Sequence, residues 1–339
     1  MTIKEIAEKS GVSIGTVDRV VHQRDGVCEE TRRRVQAIID QSGYKPNTYA
    51  RNLKLGKHYH IAVLLPYLQS ESRYWDLVAS GILKAAQELE SFNVVVEIHQ
   101  FHRESTADFL ALFQSVMATH PEAVLLPPPN SESMKKIKTM EDLPPVCLID
   151  SAYPDFPALS TIAQNAYRGG FVAGKISRLL TGSSGRYLCL QIHPDAYNSR
   201  QRAAGFRANL EGQPGNQVTD VVFPTEQALP GILDGVFAEH QDIRGIFVTS
   251  SITGAVASYL VSRGKKQNVV LVGYDLVPEN RKALEDGGID CIISQRPAYQ
   301  GYTGVYQLYK QVVLQQTPEP NVHIPIDIFF KENLVDTID

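Results

Sequence analysis

The chain has 339 residues, 43% of them hydrophobic and 21% charged, an ordinary globular composition that is too long for one domain and suggests two or three. Charges recur every few positions through Met-Thr-Ile-Lys-Glu-Ile-Ala-Glu-Lys-Ser-Gly and no apolar run approaches the roughly 18 residues of a membrane span, so no signal peptide is expected and the predicted location is the cytoplasm. The net charge of −4 is unevenly divided: residues 1–58 hold eleven Lys or Arg against seven Asp or Glu, which leaves 22 against 30 for the rest, and a basic head on an acidic body suggests a polyanion as the head's partner.

Thr2 and Glu5 have the spacing of a capping box, and Ile3, Ile6 and Ala7 recur on one face, predicting a helix over 3–9. Gly11 breaks it and Ser13 caps a second helix whose buried stripe is Val17, Val20 and Val21. A third helix runs from Glu29 or Glu30 to Ser42, with Val35, Ile38 and Ile39 inward and Gly43 as its stop. Two short helices joined by a tight turn containing Gly make a helix-turn-helix. On the second helix Ile14, Gly15, Thr16, Asp18 and Arg19 face outward, where such a motif meets base edges in the major groove. Arg19 suits a guanine and Ile14 a thymine methyl group, while Ser13, Thr16 and the cluster Arg32, Arg33 and Arg34 suit phosphates. A helical hairpin that docks a protein is the alternative for this segment alone. Residues 45–57 follow, with Pro46 fit for a first helical turn and Gly56 for a stop. The stretch between is too short to hold a helix in water, so it is either a linker or a helix formed only against something else.

The order Thr-Ile-Lys-Glu-Ile-Ala…Gly-Val-Ser…Thr-Val…Arg-Val…Glu-Glu-Thr-Arg…Val…Gly-Tyr-Lys-Pro-Asn…Ala-Arg-Asn-Leu, across residues 2–54, resembles the head and hinge of the lactose-repressor (LacI/GalR) family. The resemblance implies a homodimer on a palindromic operator, with 46–57 as a hinge helix paired in the minor groove. Thr31 and Asn47, inside the matched motifs, join the DNA-contacting set; Ala50 and Arg51 become close minor-groove contacts, and Leu53 becomes the wedge that opens the central base step. Asp18 departs from the family, which carries Ser there. A carboxylate repels phosphate, so Asp18 is expected to lose that contact or to turn to a cytosine amino group or to Arg19.

From His60 onward short apolar runs alternate with helical patterns. Strands are predicted at 61–65, 94–99, 123–126 and 146–149, then at 187–192, 218–223, 245–248, 269–272 and 291–293. Helices are predicted at 76–91, 106–118, 166–181, 200–210, 227–240, 252–262, 278–286 and 298–315. The class is α/β: two successive sets of apolar strands separated by helices predict two doubly wound lobes, with ligand in the cleft at the carboxyl ends of the strands. Just beyond those ends stand Tyr74 and Trp75, Asp150, the stretch 195–202, Ser250 and Ser251, Tyr274 and Asp275, and Gln295. Carboxylates, an arginine and an amide beside an aromatic ring suit sugar hydroxyls and a sugar's apolar face.

The body resembles the sugar-binding domain of the same family and of periplasmic sugar-binding proteins of type I architecture. The resemblance is carried by Asn165…Gly169-Gly170…Gly174, Arg200…Arg202…Ala204-Gly205-Phe206, Val272-Gly273-Tyr274-Asp275 and Gln295-Arg296-Pro297…Gln300-Gly301. It implies that Asp150, Arg202, Asp275 and Gln295 bond the ligand and that Trp75, with Tyr74 as its competitor, closes the first-lobe side. The family's Asn-Asp after the seventh strand reads Ser250-Ser251 here, which shortens two ligand-reaching side chains.

The implied division is a helix-turn-helix head at 1–45, a hinge at 46–57, a first lobe at 58–162 plus 297–321, a second lobe at 163–296 plus 322–332, and a short tail at 333–339. Gly169 to Lys175 opens like a phosphate loop, but Ile176 stands where a hydroxyl is needed. The pairs His99/His102 and His58/His60 lack a third ligand, four scattered cysteines suit neither disulfide nor zinc, and no nucleophile elbow occurs. No metal, cofactor or enzymatic activity is therefore expected. The expectation is a regulator, a repressor by family type, that binds operator DNA as a dimer and senses a sugar-like effector; a sugar-binding protein without DNA function is the competing class.

Overall fold

The computed structural model describes residues 1–21, 24–42, 44, 57–68 and 73–334, and the chain divides into two compact units, Met1–Lys57 and His58–Asp339. In the first unit lie α1 (Ile3–Ser10), α2 (Ile14–Val21) and α3 (Glu29–Ser42). Thr2 Oγ1 accepts from the Glu5 N–H at 3.3 Å and the Glu5 carboxylate accepts from the Thr2 N–H at 2.8 Å, the expected capping box. Gly11 closes α1 at φ 65°, a conformation that costs glycine least. Ser13 Oγ accepts from the Thr16 N–H at 3.1 Å and starts α2. Ile6, Ala7, Val17, Val20 and Val35 form the buried core, with Ile38, Ile39 and Tyr44 partly buried against it. Gly43 and the stretch 45–56, hence the predicted Asn47, Ala50, Arg51 and Leu53, lie outside the described residues.

The second unit is two lobes, each built on a six-stranded sheet. The first lobe runs β1 (Tyr59–Pro66), α4 (Tyr74–Leu89), β2 (Val94–Phe101), α5 (Thr106–Met117), β3 (Ala123–Leu126), α6 (Ser131–Lys138), β4 (Val146–Ile149) and β5 (Ser160–Gln164). The second runs α7 (Ala166–Thr181), β6 (Arg186–Gln191), α8 (Tyr197–Glu211), β7 (Gln217–Val222), α9 (Leu229–Glu239), β8 (Ile243–Val248), α10 (Thr253–Ser262), β9 (Val270–Tyr274), α11 (Pro278–Glu285) and β10 (Cys291–Ser294). The chain then returns to the first lobe for α12 (Pro297–Val312) and β11 (Asn321–Ile324) before β12 (Asp327–Phe329) completes the second sheet. The strand orders are β11-β5-β4-β3-β1-β2 and β12-β10-β9-β8-β6-β7, parallel except for the antiparallel pair β10–β12. Each sheet reverses its winding beside its first strand, and the carboxyl ends of both sets of strands meet at the cleft. Among the described residues no helix is long and apolar enough to cross a membrane.

All nine expected strands form. Among the described residues β5, α6 and β11 are additional to the expected helices and strands: they carry polar residues such as Ser160, Lys135 and Asn321 and lack an apolar run. The return to the second sheet expected after residue 321 falls after Ile324, because β11 pairs with β5 in the first sheet. The first crossing shifts as well, since β5 continues to Gln164.

The backbone thus crosses between lobes three times, and one buried amide joins the crossings. Gln164, at the end of β5, donates through Nε2 to the Ser294 carbonyl at 3.0 Å and to the Pro325 carbonyl at 2.8 Å. Its Oε1 accepts from the Tyr274 hydroxyl at 3.0 Å. Elsewhere, α7 and α8 touch backbone to backbone: a Cβ on Gly170 would stand 1.8 Å from the Arg202 carbonyl oxygen, and one on Gly205 would stand 1.9 Å from that of Tyr167. Gly170→Ala is therefore expected to destabilise the body by at least about 1–3 kcal/mol through overpacking. Gly235→Ala, on α9 with nothing within 4 Å of the added methyl, should stabilise it by about 1 kcal/mol. Urea unfolding midpoints of the two variants check both signs.

Candidate functional site

The cleft gathers side chains from strand ends of both lobes. Asp150 follows β4 and Asp275 follows β9, and both adopt left-handed backbone conformations, φ 66° and 65°, that aspartate tolerates better than most residues. Two carboxylates held at unusual dihedrals where the lobes meet mark a site in which position outweighs local strain. Asp150 Oδ1 accepts from the Tyr74 hydroxyl at 2.8 Å and from Gln295 Nε2 at 3.2 Å, and its Oδ2 accepts from Asn198 Nδ2 of the second lobe at 3.0 Å. Gln295 Nε2 also donates to Asp275 Oδ1 at 3.1 Å, so one amide bridges the two carboxylates. Arg202 donates through Nη1 to the Thr249 carbonyl at 2.8 Å and lays its guanidinium 3.7 Å from the centre of the Tyr274 ring.

Three polar atoms of this wall are buried without a protein partner: Arg202 Nε, Gln295 Oε1 and Ser250 Oγ. A buried donor or acceptor left unpaired costs about 1–3 kcal/mol, so a ligand that satisfies them gains what the protein forgoes. The inner cavity bounded by Asp150, Asn198, Arg202, Asp275 and Gln295 adjoins an outer one beside Trp75.

The predicted Asp150, Arg202, Asp275 and Gln295 therefore come together, and Ser250 joins them. Tyr74 and Trp75 divide the aromatic role: Tyr74 bonds Asp150, while Trp75 lines the outer cavity edge-on to Tyr74 at 5.0 Å between ring centres. Asn198, Thr249, Arg103 and His193 were not singled out from sequence. Asn198 lay inside the flagged stretch 195–202, but nothing in sequence distinguishes the residue of that stretch that reaches across the cleft. In the head, Ser13, Ile14, Gly15 and Arg19 are exposed on α2 and Thr16 is half-buried, which leaves the predicted reading face open. Asp18 pairs with Arg24 at 3.3 Å. Arg32 donates to the Arg24 carbonyl at 2.8 Å and Thr31 accepts from the Cys28 thiol at 3.1 Å, so both also brace the start of α3.

Burial pushes the Asp275 carboxyl up to about 7; the adjacent Arg202 opposes the shift and Asp150 reinforces it. Burial, reinforced by Asp150, likewise raises the Tyr74 phenol well above its ordinary value. A carboxyl with a folded pKa above its unfolded value of 3.8 gives the folded state the greater proton uptake between the two. Stability contributed by this group is therefore full below about pH 4 and falls as pH rises towards 7. Asp275→Asn should remove that part of the slope, as melting temperatures across pH 4–8 would record; an unchanged slope would mean that Asp275 ionises as freely folded as unfolded.

Residues 61–316 match the model of the periplasmic binding protein domain, and residues 2–47 match that of the bacterial regulatory proteins of the lacI family. Among curated proteins the chain is similar to catabolite control protein B of Bacillus subtilis, 33% identical over 131 residues, 36% of this chain and 42% of that one. The chain spans no more than half the length of four further curated regulators. Among solved structures it is similar to one from Bacteroides fragilis described as a LacI transcriptional regulator, with 26% identity, a TM-score of 0.75, and 82% of this chain and 98% of that one covered. It also shares its fold with a solute binding protein from Burkholderia graminis in complex with D-arabinose, at 20% identity and a TM-score of 0.75, covering 84% of this chain and 99% of that one. The chain belongs to the periplasmic binding protein domain family, and ahead of that domain it carries the helix-turn-helix region of the lacI-family bacterial regulatory proteins.

Proposed function

We propose that the protein is a cytoplasmic transcriptional regulator that binds a palindromic operator as a homodimer, with operator affinity set by a sugar or sugar-derived effector in the body's cleft. The observation that carries this reading is the pairing, in one chain, of an open α2 face with a cleft whose buried polar atoms await a partner. A single helix-turn-helix covers a half-site, so two copies are needed for a palindrome. In the proposed complex Arg19 and Ile14 read bases, and Ser13, Gly15, Thr16, Thr31 and Arg32 position the head on phosphates. Asn47, Ala50, Arg51 and Leu53 act in the minor groove. The effector works through its differential affinity for open and closed lobes, which biases how the two hinge segments pair.

The cleft favours binding over turnover. Asp150 accepts from three donors and Asp275 from the shared amide, and no cysteine nucleophile lines the cavity beside them among the described residues. The shared fold with sugar-bound solute binding proteins supports a second reading, a sugar-binding protein without DNA function, against which the head stands.

A mobility-shift titration with the protein's own upstream region separates the two readings. Specific binding that weakens steeply with salt supports the regulator, and the absence of a shifted band at low salt removes it. Arg19→Ala should cost about 1–3 kcal/mol on the operator and relax preference at one base position. Leu53→Ala should weaken binding and shrink the DNA bend while leaving effector affinity in place; equal bending by variant and parent would take Leu53 out of the wedge role.

A further inference from the structure

The two cavities of the body form one cleft, because Tyr74, Arg103, His193, Ser250 and Ser251 line both. The buried carboxylates Asp150 and Asp275 line the inner compartment alone, beside the buried Arg202 guanidinium. The outer one is lined by His102 and Arg103 from the loop after β2 and by His193 from the loop after β6, Arg103 and His193 being shared with the inner one, and among the described residues its one lining carboxylate is the exposed Glu104. Arg103 has no carboxylate partner among the described residues and instead lies over the Trp75 ring, 5.9 Å from its centre. Ser250 and Ser251, just ahead of the ten-residue α10, line the same cavity, and Ser250 Oγ is buried and unpartnered among the described residues.

We propose that the effector is a sugar bearing an anionic group, a phosphate or a carboxylate. Its hydroxylated ring sits in the inner compartment and its anion in the outer one, against Arg103, His193, Ser250 and Ser251. This rests on the cleft being the effector site. In the inner compartment two carboxylates stand against one guanidinium, whereas Arg103 and the unpartnered Ser250 hydroxyl belong to the lining of the outer one, so hydroxyls are placed inside and the anion outside. A guanidinium resting on an aromatic face is oriented for two-pronged contact with an oxyanion, and the unpartnered Ser250 hydroxyl supplies a donor for a remaining oxygen. A second neutral sugar ring is the competing occupant of the outer compartment. It would stack on Trp75, but Arg103 occupies that face.

The test is calorimetric titration of the full chain with matched sets: D-glucose, glucose 6-phosphate and glucuronate; D-ribose and ribose 5-phosphate; D-fructose and fructose 6-phosphate; and the disaccharides maltose and cellobiose. At least one charged sugar is expected to bind tenfold or more tightly than its neutral parent. A phosphate preference and a carboxylate preference name the two sources of the anion. Arg103→Gln should collapse the charged-to-neutral affinity ratio towards one, whereas a merely structural role for Arg103 would lower both affinities together. Neutral sugars that match their charged partners, a disaccharide that outbinds all of them, no binding by any charged sugar, or an Arg103→Gln variant with an unchanged ratio would each overturn the proposal. If charged sugars bind but Asp275→Asn leaves their affinity unchanged, the effector site itself lies outside the cleft. Failure of operator binding in the mobility-shift assay would instead strike the regulator reading while leaving the sugar titrations intact.

Discussion

The body depends on the Gln164 amide. Three separate strand ends must pass between the lobes, and a primary amide has two hydrogens and one carbonyl oxygen with which to fasten them. Both hydrogens go to carbonyls of the other two crossings, Ser294 and Pro325, and the oxygen takes the Tyr274 hydroxyl. The same Tyr274 ring lies under the Arg202 guanidinium. Hinge and ligand seat thus share one aromatic side chain, so a shift of Arg202 towards a ligand is felt one residue away at the hinge. Glutamate in place of Gln164 would lose both donors, and leucine would orphan two carbonyls and a phenol in a buried place.

The architecture was legible wherever apolar runs and helical periods were long. All nine expected strands form, since strands covered on both faces must be apolar throughout. The missed strands lie at a sheet edge or beside it, where one side meets solvent or loop: Ser160–Gln164 and Asn321–Ile324 are mixed in polarity, and their pairing is decided by partners distant in sequence. The short α6 hides its apolar pair, Met134 and Ile137, among lysines.

The site was legible to the extent that it lies at strand ends, because topology alone sends those positions to the cleft. Asp150, Arg202, Asp275 and Gln295 were found in that way, with the family resemblance choosing among neighbours. Partnership was not legible. That Tyr74 rather than Trp75 bonds Asp150, or that Asn198 reaches across the cleft, depends on side-chain direction to within an ångström or two. In the head, the Asp18 and Arg24 pairing depends on how the chain turns after α2, which no local pattern specifies.

Gln295 spends both amide hydrogens on carboxylates, and its oxygen remains without a partner. The deepest surface of the cleft therefore offers carboxylate and amide oxygens beside the Arg202 guanidinium. With the proposed sugar bound there, such a surface would read it by where its O–H bonds point. A sugar deoxygenated or methylated at a position facing that wall would leave an unpaired oxygen behind and be rejected more strongly than its small change in shape suggests. Selectivity between epimers would then follow the count of hydroxyl hydrogens each can deliver to Asp150, Asp275 and Gln295 at once.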